Sequence, residues 1–446
     1  MSRKYFGTDG IRGLAGVGAL TRERVEAYGR AAGAYVASMG GSRRILIGRD
    51  TRTSGPWMTD ALASGFLGAG VAVSDGGILT TPAVQWIARE EGFDLAIVVS
   101  ASHNPAPDNG IKFFGRDGRK LPDADEIRIE TLIDQDPGIV AAPRALRSKD
   151  EGASHRYVAA MRQRLTKLSL VGRTLILDCA HGAASSIGPE LLNALGASVV
   201  VVNAEPTGHN INDNAGVVAV EAMAPLVRRH RGAIAIALDG DADRVLMLDE
   251  DGKLRDGDAI MGILARDLAA RGELVDRLLV TTVMSNLGLH HFVKNDGIKL
   301  EITPVGDRFV SQKMDEMGAV LGGEQSGHII FREGARWSGD GLYAALRVLE
   351  VMTRRDMALA ELAREMETFP QVLKNIHAKA KVPIAAIAGL PEAIAAAEQE
   401  MGSEGRVLIR WSGTEPLLRI MVEGRRRDMV DRWMAHLMGV ATESLT

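Results

Sequence analysis

Three stretches of this chain repeat one pattern, and that pattern limits the possible folds more than any other feature. Arg44-ILIGRDTRTSG, Thr174-LILDCAHGAAS and Leu278-LVTTVMSNLG each run from a short apolar segment into a polar loop containing glycine. A segment of helical period follows each, then another short strand-like run at Ala72-Val73, Ser198 to Asn203 and Lys299 to Thr303. Strands alternating with helices of this length join through crossovers, so each repeat predicts an α/β unit with a mixed, mainly parallel sheet. Three similar units in succession suggest an old duplication with low residue identity.

After Pro370 the pattern changes. Val372 to Ala378 reads as a strand, Ala385 to Met401 as a helix, and Arg406-VLIRW and Leu417-LRIMVE as strands framing a tight turn. Met429, Val430, Trp433, Met434 and Leu437 then recur on one helical stripe. This predicts a smaller C-terminal α+β domain. The joins are expected near Ser148-KDEGAS, Asp251-GKLRDGD and Phe369-Pro370, dividing the chain into residues 1–150, 151–253, 254–369 and 370–446.

Composition narrows the function classes. Net charge is −4 with both signs interspersed, and no basic tract suits nucleic acid or an anionic membrane surface. No apolar run approaches the roughly 18 residues of a membrane span. The start, MSRKYFGTDGIRG, lacks the apolar core of a signal peptide. Cys179 is the only cysteine, which excludes an intrachain disulfide and a cysteine-rich zinc site. A cytoplasmic location is expected, with neither nucleic acid nor membrane as a partner.

Four segments carry chemistry. In LAIVVSASHNPAPDNGIK, the apolar run Leu95 to Val99 reads as a buried strand, and the prolines and Asp108-Asn109-Gly110 predict that everything after it is loop. Ser102 and His103 then sit just beyond a core strand, where open α/β sheets place ligand crevices. A serine there can be a nucleophile, a metal ligand or a turn residue. In Ile234-AIALDGDADRV, a buried strand runs into Asp239, Asp241 and Asp243. Carboxylates so close repel one another unless a hard cation joins them. An EF-hand fails, because Arg244 stands where that loop needs Gly and Val245 to Leu248 is a strand; Mg²⁺ with open positions fits better than caged Ca²⁺.

In Gly322-GEQSGH, glycines flank Glu324, Ser326 and His328, side chains suited to sugar hydroxyls or to an ordinary turn. In Arg410-WSGTEPLLR, guanidinium groups, hydroxyls and turn N–H groups can form a phosphate cradle, though no Walker lysine follows. The Gly-rich start Tyr5-FGTDGIRG adds Thr8, Asp9 and Arg12.

In this order and at these separations, TDGIRG, SASHNPAPDNGIKF, LDGDADRV, GGEQSGH and RWSGTEP closely resemble the α-D-phosphohexomutases over nearly the full length. The resemblance implies four domains around a central cleft, with the phosphate cradle in the last. It implies a phosphorylated Ser102 as phosphoryl carrier, and one Mg²⁺ held by Asp239, Asp241, Asp243 and a phosphoserine oxygen. Glu324 and Ser326 match contacts to sugar hydroxyls, and Arg410, Ser412, Gly413, Thr414 and Arg419 match the site of the non-reacting phosphate. Arg12, Lys112, Arg244 and His328 match residues that assist phosphoryl transfer.

The implied partner is a small sugar phosphate, passing through a hexose 1,6-bisphosphate, in a homodimeric enzyme. The wording of GTDGIRG and GGEQSGH points to glucosamine phosphates rather than mannose or glucose phosphates. One departure stands out. Related phosphomannomutases carry a His after a Thr-Gly pair, whereas this chain has Val305-Gly306-Asp307-Arg308, leaving the acid/base group on that side open. The rival classes are a metal-dependent phosphatase, which would release inorganic phosphate, and a non-catalytic sugar-phosphate sensor, which has no need of Ser102 beside an Asp triplet. A Ser-His-Asp hydrolase lacks its Gly-x-Ser-x-Gly elbow.

Overall fold

The computed structural model describes residues 3–7, 9–136, 138, 146–334, 336–412 and 416–445, with the backbone alone at 336–338. Among them the chain forms two compact units, Met1–Val283 with Glu301–Ala363, and Met284–Leu300 with Arg364–Thr446.

The first unit holds three mixed sheets. In the first, the strands run in the order Ile11–Leu14, Asp108–Gly115, Leu95–Val99, Arg44–Arg49, Ala72–Ile78, Arg147–Lys149. Leu95–Val99, Arg44–Arg49, Ala72–Ile78 and Arg147–Lys149 are mutually parallel, while Asp108–Gly115 and Ile11–Leu14 add an antiparallel flank. The second repeats this plan: Ser198–Val202, Thr174–Asp178 and Ile234–Leu238 are parallel, and Val245–Leu248 and Leu254–Arg255 turn back. In the third, Leu278–Thr282 is parallel to Leu321–Gly323, and Ile329–Glu333 and Arg336–Gly339 form the antiparallel flank. Lys299–Thr303, whose last three residues belong to this unit, completes the opposite edge.

Sequence pattern explains this. Strands buried on both faces need continuous apolar runs, and all of Leu95–Val99, Ile234–Leu238 and Leu278–Thr282 is buried. Ile45, Ile47, Ile97 and Val99 pack with Val25 and Tyr28 of helix Arg22–Ser38 and with Met58, Leu62 and Phe66 of helix Gly55–Gly68. Each such side chain contributes about 1.5–3 kcal/mol on burial. Helices start where a side chain takes their first free N–H: Thr80 accepts from Ala83, Asp256 from Ala259, and Asp340 from Tyr343. Cys179 directly follows strand Thr174–Asp178, and burial pushes its thiol up out of the ordinary range.

Two local expectations are corrected. Asp108-Asn109-Gly110 is strand, because Gly110 pairs with Arg12 and Asp108 with Leu14 in the antiparallel flank; the loop after Val99 is shorter than the prolines suggested. The helix expected from Ala385 begins at Leu390, because Gly389 adopts φ 73° and Pro391 sets the new first turn.

The second unit is an antiparallel sheet in the order Gln371–His377, Leu417–Gly424, Gly405–Trp411. Helices Leu390–Met401 and Arg427–Leu445 cover it through Leu390, Ala397, Val430, Met434 and Leu437. Helix Leu287–Asn295 also belongs here, with Asn286 capping it and exchanging hydrogen bonds with the backbone of Phe369.

Candidate active site

Ser102 stands at the end of Leu95–Val99 with φ 53°, a left-handed conformation uncommon for serine. It is held there by a side chain fifty residues away. Arg52 is fully buried, and its five N–H donors find five acceptors: the Asp50 carboxylate and the carbonyls of Ser102, Asn104, Pro105 and Asp108. Asp50 also accepts from Ser100 Oγ at 2.6 Å, and Ser100 Oγ accepts from the Ser102 backbone at 3.0 Å. From the second α/β segment, Asn212 Nδ2 donates to the carbonyls of Ser102 at 2.8 Å and Asn104 at 3.0 Å.

The acidic loop meets this serine directly. Ser102 Oγ donates to Asp239 Oδ2 at 2.5 Å. Gly240 permits the approach, since a Cβ there would stand 2.6 Å from the Ser102 carbonyl. Asp239, Asp241 and Asp243 each offer an oxygen within 4.8 Å of the others, and all three are buried. Lys112 Nζ bridges Asp241 at 2.7 Å and Asp243 at 3.0 Å, and Thr81 Oγ1 donates to Asp241 at 2.5 Å. Asp241 Oδ1 and Asp243 Oδ1 are nevertheless buried without hydrogen-bond partners. Burial, with Asp243 and Asp241 alongside, pushes the Asp239 carboxyl well above its usual range. All-oxygen donors, crowded charge and unused lone pairs are what a hard divalent cation satisfies, so the donor set fits Mg²⁺.

Cations ring the loop. Burial alone would depress Lys112, but Asp241, Asp243 and Asp9 raise it well above the lysine range. Arg12 pairs with Asp9, and Arg244 lies 3.9 Å from Asp243. His328 has Nδ1 3.6 Å from Asp243 and Nε2 3.7 Å from Asp307. Burial would lower His328, and these two carboxylates outweigh it and raise the ring's pKa. The loop bearing Glu324 and Ser326 is fastened to the acidic loop by Val245 N to Gly327 O at 3.0 Å. Gly327 has φ 94°, and a Cβ there would stand 2.2 Å from the Val245 carbonyl, so the two loops can touch only at glycine. The first unit therefore gathers Ser102, the three aspartates, Arg12, Lys112, Arg244, His328, Glu324 and Ser326.

His103 has Nδ1 3.5 Å from Ser102 Oγ, and its lowered pKa makes it a weak base. Burial, then Arg244 and Arg12, lowers it to about 4.

In the second unit Arg410 and Arg419 face each other across the sheet as register partners. Neither forms an ion pair among the described residues, and burial together with Arg419 lowers Arg410. Ser412 follows at the turn, its N–H donating to Leu417 O at 2.8 Å. Two unneutralised guanidinium groups beside a turn suit an anion. Gly413 and Thr414 lie outside the described residues, as does Thr8.

Sequence models of the phosphoglucomutase/phosphomannomutase family match in order: α/β/α domain I at residues 3–137, domain II at 155–252, domain III at 256–369 and the C-terminal domain at 353–440. The chain belongs to that family. Among phosphoglucomutase/phosphomannomutase relatives, the phosphoglucosamine mutase of Anaeromyxobacter dehalogenans is 46% identical over 455 residues, covering 98% of this chain and 99% of its own. A family protein of Burkholderia thailandensis superposes with TM-score 0.81 at 24% identity, covering 100% of this chain and 99% of its own. The Aspergillus fumigatus N-acetylphosphoglucosamine mutase, solved with GlcNAc-6P and magnesium, superposes with TM-score 0.68 at 18% identity, covering 100% and 96%.

Several residues around this phosphoglucomutase/phosphomannomutase site had no role assigned from the sequence. Arg52, Asp50 and Asn212 fix the serine loop, and Lys120 Nζ joins Asp9 to Asp307. The usable signals were an Arg in the loop after Arg44–Arg49 and the Asn-rich run Asn210 to Asn214; Asn212 adopts φ 59°, a left-handed position that asparagine tolerates.

Proposed function

We propose that the protein is a phosphoglucosamine mutase, interconverting glucosamine 6-phosphate and glucosamine 1-phosphate through a phosphoserine at Ser102. The product supplies UDP-N-acetylglucosamine and cell-wall precursor synthesis. The observation that carries this reading is the Ser102 hydroxyl, 2.5 Å from Asp239 inside a buried triad that Lys112 spans.

Asp239, Asp241 and Asp243, with an oxygen at Ser102, would hold Mg²⁺, which would supply charge neutralisation to the transferring phosphoryl group. The residues do the rest. A sugar hydroxyl attacks phosphorus; the P–Oγ bond to Ser102 breaks as the new P–O bond forms, and the hydroxyl proton leaves to a neighbouring base. Lys112, Arg244 and Arg12 place positive charge around the oxygens of the moving group. His328, held between Asp243 and Asp307, is placed to exchange the proton. Glucosamine 1,6-bisphosphate, or a similar hexose bisphosphate, then rotates and returns its other phosphate to Ser102.

Glu324 and Ser326 hold sugar hydroxyls in both orientations, and Arg410, Ser412, Gly413, Thr414 and Arg419 hold the phosphate that is not reacting. The segments 1–150, 151–253, 254–369 and 370–446 are the proposed domains of a cytoplasmic homodimer. No described helix is long and apolar enough to cross a membrane.

Phosphorus NMR of the protein with Mg²⁺, glucosamine 6-phosphate and a trace of hexose 1,6-bisphosphate tests this. Growth of a sugar 1-phosphate signal without inorganic phosphate is expected, and Ser102→Ala should abolish it while keeping the melting temperature. Inorganic phosphate as the sole product would turn the reading to a phosphatase.

A further inference from the structure

Resting on the glucosamine reading above, we propose that Asp307 is the specificity residue, its carboxylate accepting from the 2-ammonium group of the amino-sugar phosphate. Asp307 opens helix Asp307–Met317 and lines a cavity of about 510 Å³ with Lys112, Lys120, Asp243, Arg308 and His328. The residue before it is tied to the sugar site, because Gly306 N donates to Glu324 Oε1 at 2.9 Å. That bond leaves the other Glu324 oxygen for a sugar hydroxyl and fixes Asp307 beside the carboxylate that takes it. In this proposal the substituent on the neighbouring ring carbon meets the Asp307 side chain.

The carboxylate is positioned but not used up. Its Oδ2 accepts from Lys120 Nζ at 2.6 Å, and its Oδ1 makes no hydrogen bond among the described residues. Lys120 is shared with Asp9, so one ammonium serves two carboxylates. The adjacent cation is occupied: Arg308 pairs with Asp123 and Glu126 and donates to the Leu121 carbonyl. Among the other acids of the site, Asp239 accepts from Ser102, Asp241 and Asp243 share Lys112, and Asp9 pairs with Arg12, Lys112 and Lys120. Asp307 thus keeps an oxygen for a cationic substituent, and the Gly306 bond to Glu324 holds it next to the sugar-binding loop. A charge-assisted N–H···O⁻ bond favours an ammonium over the neutral hydroxyl of an ordinary hexose.

The test compares kcat/KM for glucosamine 6-phosphate and glucose 6-phosphate in the wild type, Asp307→Asn and Asp307→Glu, with thermal melts alongside. The ratio favouring the amino sugar should fall about tenfold to a hundredfold in Asp307→Asn, chiefly through KM, and recover in part in Asp307→Glu. Parallel losses on both sugars would overturn the assignment and make Asp307 a group of the shared chemistry. The wild type gives a second readout free of folding effects: its preference should fade as pH rises past the sugar ammonium's own pKa, and a preference indifferent to that titration would also overturn it. A wild type that turns over glucose phosphates but not glucosamine phosphates would instead remove the glucosamine reading itself, which separates the two failures.

Discussion

Arg52 makes no contact with a reacting atom, yet it sets where Ser102 can be. A lysine in its place keeps the charge beside Asp50 but has three donors where the guanidinium has five, and no planar fork to span the loop carbonyls. Arg52→Lys should therefore lower kcat about a hundredfold through misplacement of the serine. It should also raise the inorganic phosphate released per turnover, because a displaced loop admits water; a variant that merely melts earlier with kcat intact would make Arg52 purely structural. At this scale the sequence was uneven in what it disclosed. Ser102 and Asp239, Asp241 and Asp243 were legible because their chemistry is concentrated in a few neighbouring letters after an apolar strand. Arg52 and Asn212 were not, since they act on backbone carbonyls 50 and 110 residues away, and any donor of the right reach could have done so. Asp307 was noticed only as a departure from the family's wording; its ties to Lys120 and Glu324's loop are facts of folding.

At the scale of elements, the repeat was readable because continuous apolar strands and capped helices are local signals. Its antiparallel flanks were less so: Asp108-Asn109-Gly110 carries the residues of a turn, and strand pairing with Ile11–Leu14 overrides that local preference. Helix Leu287–Asn295 offers a prediction of its own. Burial, with Arg406 and His291 nearby, lowers His290 to about 4 from its ordinary 6.5, and its Nε2 lacks a hydrogen-bond partner. Unfolding returns the higher pKa, so between these values the unfolded chain binds more protons and stability falls as pH drops from 6.5 through about 4. His290→Gln should flatten this part of the pH dependence of chemical denaturation. An identical slope in both proteins would show that His290 titrates normally in the folded state.

At the scale of the whole molecule, the side chains proposed to act on substrate are divided between two compact units. Ser102 and the aspartates belong to one, Arg410 and Arg419 to the other. Arg419→Ala should raise KM for the sugar phosphate about tenfold or more, the cost of one charged hydrogen bond, without a matching fall in melting temperature. A collapse of the melt with KM unchanged would assign Arg419 to packing. The four-part organisation was legible from where the pattern changed at Pro370. The grouping of residues 284–300 with the C-terminal segment was not, because Asn286 and Phe369 are linked only by side-chain bonds to backbone.

Cys179 bears on how such a molecule can be watched. Its thiol is the chain's only one, buried just after a strand and protonated at ordinary pH. The natural sequence is therefore already a silent background for maleimide chemistry. One new cysteine on the surface of each unit would accept a donor and an acceptor dye, with no native residue to remove first. Single-molecule energy transfer could then follow the two units through every turnover of the enzyme.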